Sequence, residues 1–359
     1  MKFGLFYQLP CAPEQNEVTR YQETMEQIII ADELGFDVAW LAELHFHRPF
    51  SIMSAPLVLA AALAQRTKRI RLGTAVTLMS LQHPLRAIEE AATVDVLSNG
   101  RLEFGVGRGT IDLHFNGFNV SKEESRERFE EALTIIERAW TQDTCAFDGK
   151  YFQVPETVVL PHPVQKPHPP VRIATNSPET AAFAGQRGYP VFMASPINPF
   201  PKLPEHIEIY RGAFRDAGHS GKQEDIAVAF PVYVADSTAQ VRKENEHSVM
   251  HYYRTIISQA KLGAAGRPAS GKTGTAGSYA YLQQVHKRIA AITWDEVDAT
   301  MAIYGSPGTC IDKLKEAHER CGMSQVICWF NPGGLVPHQQ VLTSMRRFAA
   351  EVMPAVRML

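Results

Sequence analysis

Apolar residues along the chain fall into two alternating patterns. Short apolar runs predict buried strands, and longer segments in which apolar residues recur every three or four positions predict amphipathic helices. The strand candidates are Lys2–Tyr7, Phe36–Leu41, Ile70–Leu78, Leu102–Val106, Val171–Ala174, Pro190–Met193, Ile226–Val234 and Gln325–Phe330. The helix candidates that follow them are Glu17–Leu34, Ala55–Gln65, His83–Leu97, Glu123–Trp140, Ser177–Arg187, Pro204–Ala217, Ser237–Lys261 and Leu335–Met353. Eight strand–helix repeats predict one α/β domain over residues 1–359, a (β/α)8 TIM barrel.

The clearest repeat runs from His83 to Gly109. His83-Pro84 is typical of a helix start, and Asn99-Gly100 of a helix end, because Asn and Gly tolerate left-handed backbone. The strand that follows ends in Gly107-Arg108-Gly109. Ligands bind at the carboxyl ends of barrel strands, so Arg108 is a candidate anion clamp whose guanidinium fits phosphate. The alternative is a surface arginine beside a glycine turn.

Two stretches interrupt the alternation. Between Cys145 and Pro170, Asp148-Gly149 predicts a hairpin and clustered prolines predict an extended segment, which together form an insertion after the fourth helix. The Gly/Ala/Ser-rich run Gly263–Ser278 predicts a long mobile loop, a lid, before the eighth strand. Gly266–Thr273 matches the phosphate-loop pattern GxxxxGK(S/T), but no strand precedes it, so we interpret the match as coincidence.

Composition narrows the function. With 45% hydrophobic and 21% charged residues and a net charge of −2, the chain is typical of a globular protein and not of a nucleic-acid binder. Five scattered cysteines without a CxxC pair predict reduced thiols. The amino-terminal residues read as a strand and no apolar run could span a bilayer, so we expect a soluble cytoplasmic protein.

A second candidate phosphate contact lies at Asn176–Thr180. Ser177 as N-cap and Pro178 in the first turn are explained by helix capping alone. A helix start with two hydroxyls at the ligand face is also a phosphate cradle. Pairing with Arg108 from the neighbouring strand favours the cradle, provided that Glu179 points away from it.

The second strand ends in Glu43, His45 and His47. Two histidines on one side of a strand could begin a metal site. The later strand ends offer Asn176, Ser195 and Asn331, which cannot complete a hydrolase-type ligand set. We therefore predict no metal, a pocket lined by Glu43 and His45, and a solvated loop position for His47.

Taken together, these residues resemble the bacterial luciferase-like, flavin-dependent monooxygenase family. The likeness covers nearly the whole chain and is carried by MKFGLF, ELGFDVAWLAELHF, RLGTAVTLMSLQHPLR, VDVLSNGRLEFGVGRG, GQRGYP, YGSPGTCIDKL and SMRRFAAEVMPAV. The resemblance implies a (β/α)8 barrel, commonly a homodimer, that binds reduced FMN (FMNH2) supplied by a separate flavin reductase. It further implies a flavin C4a-hydroperoxide that oxygenates a small organic substrate.

The resemblance also assigns residues. Arg108 would clamp the flavin phosphate with Ser177 and Thr180, and a non-proline cis peptide at Ala75-Val76 would lie under the flavin ring. Gly107 stands where luciferases often carry a reactive cysteine. The implied cofactor-binding set is Ala42, Glu43, Ala75, Val76, Gly107, Arg108, Asn176, Ser177, Thr180 and Ser195.

One position departs from the family pattern. The luciferase catalytic subunit has a His-His pair, of which the first is the base, where this chain has Leu44-His45. Light emission is therefore not expected. His45, His47 and His114 are candidate bases, and His45 with Glu43 is the predicted catalytic pair.

Apolar residues near these positions predict a pocket for an aldehyde, a ketone or an aromatic compound. They are Leu44, Phe46, Leu78, Met79 and residues 192–200, although core packing explains most of them equally well. Two alternative functions stay open at this stage. One is hydride transfer with the deazaflavin F420 in the same cleft, and the other is non-catalytic flavin binding.

Overall fold

A computed structural model describes residues 1–200, 202–221, 224–265 and 284–359. The strands are β1 Lys2–Tyr7, β2 Val38–Leu41, β3 Arg71–Thr74, β4 Thr77–Leu78, β5 Leu102–Gly107, β6 Cys145–Asp148, β7 Gln153–Thr157, β8 Val171–Ala174, β9 Val191–Ala194, β10 Ile226–Val234, β11 Ile303–Gly305 and β12 Gln325–Trp329. Eight parallel strands run in the order β1, β2, β3, β5, β8, β9, β10 and β12. Because β12 also pairs with β1, the sheet closes, and the predicted (β/α)8 barrel is confirmed.

Helices surround the barrel. They are α1 Glu17–Leu34, α2 Pro56–Ala64, α3 Pro84–Leu97, α4 Asp112–Gly117, α5 Ser125–Thr141, α6 Pro178–Arg187, α7 Lys202–Asp216, α8 Thr238–Ala265, α9 residues 284–290, α10 Trp294–Thr300, α11 Pro307–Cys321 and α12 His338–Arg347. A π-helical turn, Phe348–Val352, leads into a last helix, Met353–Val356.

Capping residues explain several of these boundaries. The Asn16 side chain accepts a hydrogen bond from the Thr19 amide at the start of α1, and Gly35 ends that helix with φ of 84°. His83 caps α3 by accepting from the Leu85 amide, and the Ser177 side chain accepts from the Thr180 amide at the start of α6. The helix starts predicted at His83 and Ser177 therefore lie within one residue of the observed ones.

The insertion that was predicted after the fourth strand–helix repeat is present, and it follows α5. Strands β6 and β7 pair antiparallel as the hairpin expected around Asp148-Gly149. The sequence analysis did not predict the short helix α4, the helices α9 and α10, or the unit formed by β11 and α11. Strand β11 extends the barrel wall beside β10, where Val232 pairs with Ile303.

Side chains that point into the barrel form a small apolar cluster. Trp40 on β2 and Phe192 on β9 meet edge-to-face with ring centroids 4.6 Å apart, although their strands are not neighbours, so they meet across the interior. Trp40 is fully buried, and a Cβ at Gly73 on β3 would overlap its ring. A Cβ at Gly4 on β1 would lie 2.8 Å from its Nε1. Glycine on both neighbouring strands therefore leaves the space that the indole fills.

The cysteines do not form disulfides. All five, Cys11, Cys145, Cys310, Cys321 and Cys328, are buried and free. Burial raises the pKa of Cys310 and of Cys321 to about 12, so these thiols stay protonated at neutral pH. In the described parts of the chain, no helix combines the length and the apolar character needed to cross a bilayer.

The packing around Trp40 generates a stability prediction. We expect Gly73→Ala to destabilise the protein by about 1–3 kcal/mol, because the added methyl group overpacks the barrel interior. Gly212→Ala in α7 is the matched control: a Cβ there meets nothing within 4 Å, and alanine favours a helix by about 0.5–1 kcal/mol over glycine. Thermal unfolding measures both variants. A melting temperature of Gly73→Ala at or above that of the unmodified protein would contradict this packing.

Candidate functional site

A cavity opens at the carboxyl ends of the barrel strands. It encloses about 1130 Å³ of space between the protein atoms, the open mouth included. Its walls come from the ends of β1, β2, β4, β5 and β8 and from helices α4, α5 and α6. The lining residues are Phe6, Gln8, Ala42, Glu43, Leu44, Ala75, Val76, Leu78, Gly107, Arg108, Gly109, Thr110, Ile111, His114, Arg126, Phe129, Glu130, Ile173, Ala174, Asn176, Ser177, Thr180 and Phe183.

Arg108 and the start of α6 line this one cavity. Arg108 follows β5, and β5 pairs with β8, which leads into Ser177 and α6. The Ser177 Oγ accepts from the Thr180 amide at 3.3 Å and lies 3.0 Å from the Thr180 Oγ1. The structure thus brings together a guanidinium, two hydroxyls and a helix N-terminus, all of which favour an anion.

Arg126 is a second guanidinium in the cavity wall and was not predicted. It lies in α5, and its Nη2 is 2.5 Å from Oε1 of Glu179. Glu179 itself is not among the cavity-lining residues, as the phosphate interpretation of α6 requires. Arg126 lies in a charged stretch of sequence that is typical of a solvated helix face. Only the tertiary structure therefore shows that this arginine lines the cavity.

Asn176 adds an acceptor beside the helix start. Its Oδ1 is buried and has no hydrogen-bond partner among the described residues. Buried polar atoms are rarely left without a partner in native proteins. An acceptor in this position fits a ligand hydroxyl.

Small apolar groups line the middle of the cavity. The Ala75-Val76 peptide bond is cis, as the resemblance implied. A Cβ at Gly107 would lie 2.5 Å from Cγ2 of Val76, so glycine at the end of β5 leaves space for the segment between β3 and β4. Together with Ala42 and Ala174, these residues form an apolar surface of small side chains, and such a surface leaves room for an aromatic ring system.

Glu43 and His45 form a hydrogen-bonded pair. One Glu43 oxygen, Oε2, accepts from the Leu78 amide at 2.9 Å, and the other, Oε1, lies 3.0 Å from Nε2 of His45. Because a carboxylate only accepts, the His45 Nε2 donates. Only Glu43 lines the cavity; the His45 ring lies outside the lining and packs against Phe118, with ring centroids 4.8 Å apart. The predicted pair is joined, but its carboxylate, not its imidazole, faces the cavity.

His114 is the histidine that lines the cavity. It lies on α4, is 1% exposed, and its Nε2 accepts from the His45 backbone amide at 3.1 Å. Burial lowers the pKa of His114 to about 3, so the imidazole is neutral at physiological pH. A neutral ring whose acceptor nitrogen is already engaged is a poor base.

The expected geometry of the His-x-His pair is wrong. Strand β2 ends at Leu41, and Phe46 adopts a left-handed φ of 63°, so His45 and His47 do not lie on one strand. His47 was expected in a solvated loop but is 8% exposed, and burial lowers its pKa. Within the described ranges, no three or more His, Cys, Asp and Glu side chains are grouped to hold a metal.

Ser195, which was included in the predicted cofactor set, is not among the residues that line the cavity. Its side chain is fully buried, its Oγ donates to the Met301 carbonyl at 2.5 Å, and its amide donates to Ala229. The hydroxyl is therefore used in packing the wall around β9. Of the predicted lid, residues 263–265 end α8, while residues 266–278 and the pattern at 266–273 lie outside the described residues.

Comparison with known proteins adds to this geometry. Residues 1–324 match the family model described as luciferase-like monooxygenase. The alkanal monooxygenase alpha chain of Photorhabdus luminescens is 27% identical over 362 residues, which cover 99% of this chain and 97% of that protein. The oxygenase component of the flavin-dependent trigonelline monooxygenase of Acinetobacter baylyi is 30% identical over 374 residues, covering 99% and 95%.

A solved structure gives the same result. Monooxygenase RslO1 from Streptomyces bottropensis has a TM-score of 0.79 at 27% identity, and the match covers 99% of both chains. The sequence and structure comparisons thus extend over essentially the whole chain and lead to the same group of proteins.

Proposed function

Since this chain belongs to the luciferase-like monooxygenase family, we propose that it is the oxygenase of a two-component, FMNH2-dependent system. It would transfer one atom of O2 to a small organic substrate, an aldehyde, a ketone or an aromatic compound. The single observation that carries the proposal is that Arg108 and the N-terminus of α6 line the same cavity as the small apolar residues Ala42, Ala75, Val76 and Ala174.

The residues present fit FMN along its whole length. Arg108, Arg126, Ser177 and Thr180 would hold the phosphate, and the unpartnered Oδ1 of Asn176 would accept from a ribityl hydroxyl. The isoalloxazine would lie on the apolar surface formed by Ala42, Ala75, Val76, Gly107 and Ala174. Charged hydrogen bonds supply the affinity at one end, and burial of the ring supplies it at the other.

The reduced flavin would supply the two electrons with which O2 is activated. The chain's own part is to bind, to exclude water and to hold a proton. Leu44, Leu78 and Ile111 present apolar side chains that keep the site dry. Glu43, held by the Leu78 amide, would take or return a proton at Oε1, where His45 Nε2 already donates.

The phosphate contact is tested with two ligands. We expect Arg108→Leu to weaken FMN binding by roughly 1.5–3 kcal/mol, the value of a hydrogen bond to a charged group. Riboflavin, which has no phosphate, should bind both proteins equally well. Fluorescence titration of each flavin with each protein measures the difference. Unchanged FMN affinity, or an equal loss for riboflavin, would remove the phosphate anchor from the proposal.

The oxygenase reaction is tested by mixing the protein with photochemically reduced FMN and O2 in a stopped-flow spectrometer. We expect a long-lived absorbance band that neither free flavin form shows, and ¹⁸O from ¹⁸O2 in the product of an aldehyde, ketone or aromatic panel. Glu43→Gln should slow oxygen transfer roughly 10²-fold, the usual size of a lost acid–base group.

A matched control exists for that variant. Glu26 and His338 form another Glu–His pair, with Oε2 and Nε2 3.2 Å apart, with Glu26 half exposed and with neither residue in the cavity lining. Glu26→Gln should leave oxygen transfer unchanged. Flavin oxidation at the rate of free FMNH2 without ¹⁸O incorporation argues for a flavin-binding protein without activity. Oxidation of reduced F420 in place of FMNH2 argues for the hydride-transfer alternative.

We further propose that a separate reductase supplies FMNH2. The Acinetobacter relative supports this proposal, because it is the oxygenase component of its monooxygenase. In the same assay, NADH and oxidised FMN without a reductase should give no product, whereas photoreduced FMN should suffice. Turnover with NADH alone would contradict a two-component system.

A homodimer is supported by the outer face of α2. The helix reads PLVLAAALA, without one charged residue, although Val58 is 68% exposed and Ala62 is exposed too. On the adjacent α3, Val96 and Leu97 are 45% and 46% exposed. A helix that is apolar on every side is normally buried, so a second copy of this chain would cover this face.

The dimer is tested by placing a charge on that face. Val58→Asp should convert a dimer of 40.0 kDa chains to monomers, because a carboxylate cannot be buried without a partner. Val18→Asp, at a 63% exposed position of α1, is the control and should stay dimeric. Sedimentation equilibrium measures the molecular mass of each protein in solution. An unmodified protein that is monomeric at micromolar concentration would contradict the proposal.

A further inference from the structure

Helix α4 places an imidazole in the wall of the cavity. His114 lies on this six-residue helix between Ile111 and Phe115, and it lines the cavity together with Leu44, Leu78 and Ile111. Its ring stands edge-on to that of His45, with centroids 5.3 Å apart. His114 therefore adds an imidazole to the lining beside these three apolar residues.

The hydrogen bond to His45 selects the tautomer of this ring. A backbone amide can only donate, so the His114 Nε2 that faces the His45 amide at 3.1 Å is the acceptor. The proton of the neutral imidazole is then on Nδ1. Among the described residues, no hydrogen bond involves this Nδ1–H, and the atom is not one of the fully buried ones. The ring thus presents a donor that the surrounding protein leaves available to a ligand.

Resting on the proposed function, we infer that His114 is a substrate-binding residue, whose Nδ1–H donates to the oxygen of a neutral carbonyl substrate. Substrates of this class carry an acceptor, whereas a hydrocarbon of the same shape does not. In a dry, apolar surrounding such a contact is stronger than in water, and it draws electron density from the carbonyl carbon. The contact therefore favours carbonyl compounds over hydrocarbons and cations.

Two substitutions distinguish the roles of the two ring nitrogens, the Nε2 acceptor and the Nδ1–H donor. In His114→Gln the side-chain oxygen can reach the Nε2 position and still accept from the His45 amide, but the cavity donor is lost. In His114→Asn the shorter amide places its nitrogen near the Nδ1 position and keeps the donor. The probes are heptanal and 1-octene, in which a methylene group replaces the carbonyl oxygen. Calorimetric titration of the FMN-loaded proteins gives the ratio of the two affinities for each protein. The two probes differ in hydration, but this difference is the same for every variant and cancels when the ratios are compared.

We expect the selectivity for heptanal to fall roughly three- to tenfold in His114→Gln and to be retained in His114→Asn, as expected for one neutral hydrogen bond. Selective ¹⁵N labelling of histidine provides a second readout: the Nδ1–H signal that disappears in His114→Gln should shift on addition of heptanal and not of 1-octene. FMN affinity should stay within twofold in both variants.

Several outcomes would overturn the inference. Three of them concern the probes: retained selectivity in His114→Gln, an equal loss of selectivity in both variants, or binding of neither probe by the unmodified protein. The fourth is a loss of FMN affinity in His114→Gln, which would show that the Nδ1–H donates to the flavin and not to the substrate. A failure of the proposed function is distinguishable, because the unmodified protein would then either not bind FMN or bind it without incorporating ¹⁸O into any product.

Discussion

Closure of the parallel sheet is the constraint on which the rest of the structure depends. β10 pairs with β9 and β12, and β12 pairs with β1, so all eight strands end at one rim. Residues that are far apart in the chain, such as Glu43, Arg108 and Asn176, are brought to that rim because each follows a barrel strand. The interior is filled at the same time by Trp40, for which Gly4 and Gly73 leave space. The site thus rests on a packed interior and not on an open channel.

Hydrogen bonds between the strand ends and α4 fix the positions of the polar side chains at the cavity. The Glu43 carboxylate joins the end of β2 to β4 through the Leu78 amide, and it orients His45 through Nε2. The His45 amide in turn sets the tautomer of His114 on α4. One network of hydrogen bonds therefore links Glu43 in the cavity to His45 behind it, and His45 to His114 in the cavity. A change in one of these groups alters the orientation of the others. Lys122 supports the start of α4 by donating to the Thr110 carbonyl at 2.6 Å.

The two ends of the cavity have different characters, and this division suits an oxygenase. Arg108, Arg126 and the start of α6 make one end attractive to an anion; Glu179 pairs with Arg126 outside the lining, whereas Glu130 of α5 lies within it. Towards α4, Leu44, Leu78 and Ile111 provide apolar side chains, and the polar groups beside them are His114 and Glu43, which accepts from the Leu78 amide. Strong charges bind the cofactor, and the reacting end is kept dry. In our proposal the first end sets which cofactor binds, and the second sets which substrate is accepted.

Local signals and long-range contacts contributed differently to what could be foreseen. The helix starts at His83 and Ser177 depend on residues within one turn, so the sequence predicts them closely. α4 was missed because it has only six residues and neither a side-chain cap nor a long apolar period. Arg126 was missed because it belongs to a charged stretch, and Ser195 was assigned to the cofactor although its hydroxyl donates to Met301, more than a hundred positions away.

The sequence by itself determined the repeated strand–helix order, the closed barrel that this order requires, and the rim at which Glu43, Arg108 and Ser177 must lie. These follow from periodicity and capping, which are properties of neighbouring residues. Only the tertiary structure decided that Glu43 rather than His45 faces the cavity, that His114 joins it, and that Arg126 is a second cation there. Side-chain direction at the rim depends on turns such as that at Phe46 and on hydrogen bonds between distant segments, and no local pattern encodes either.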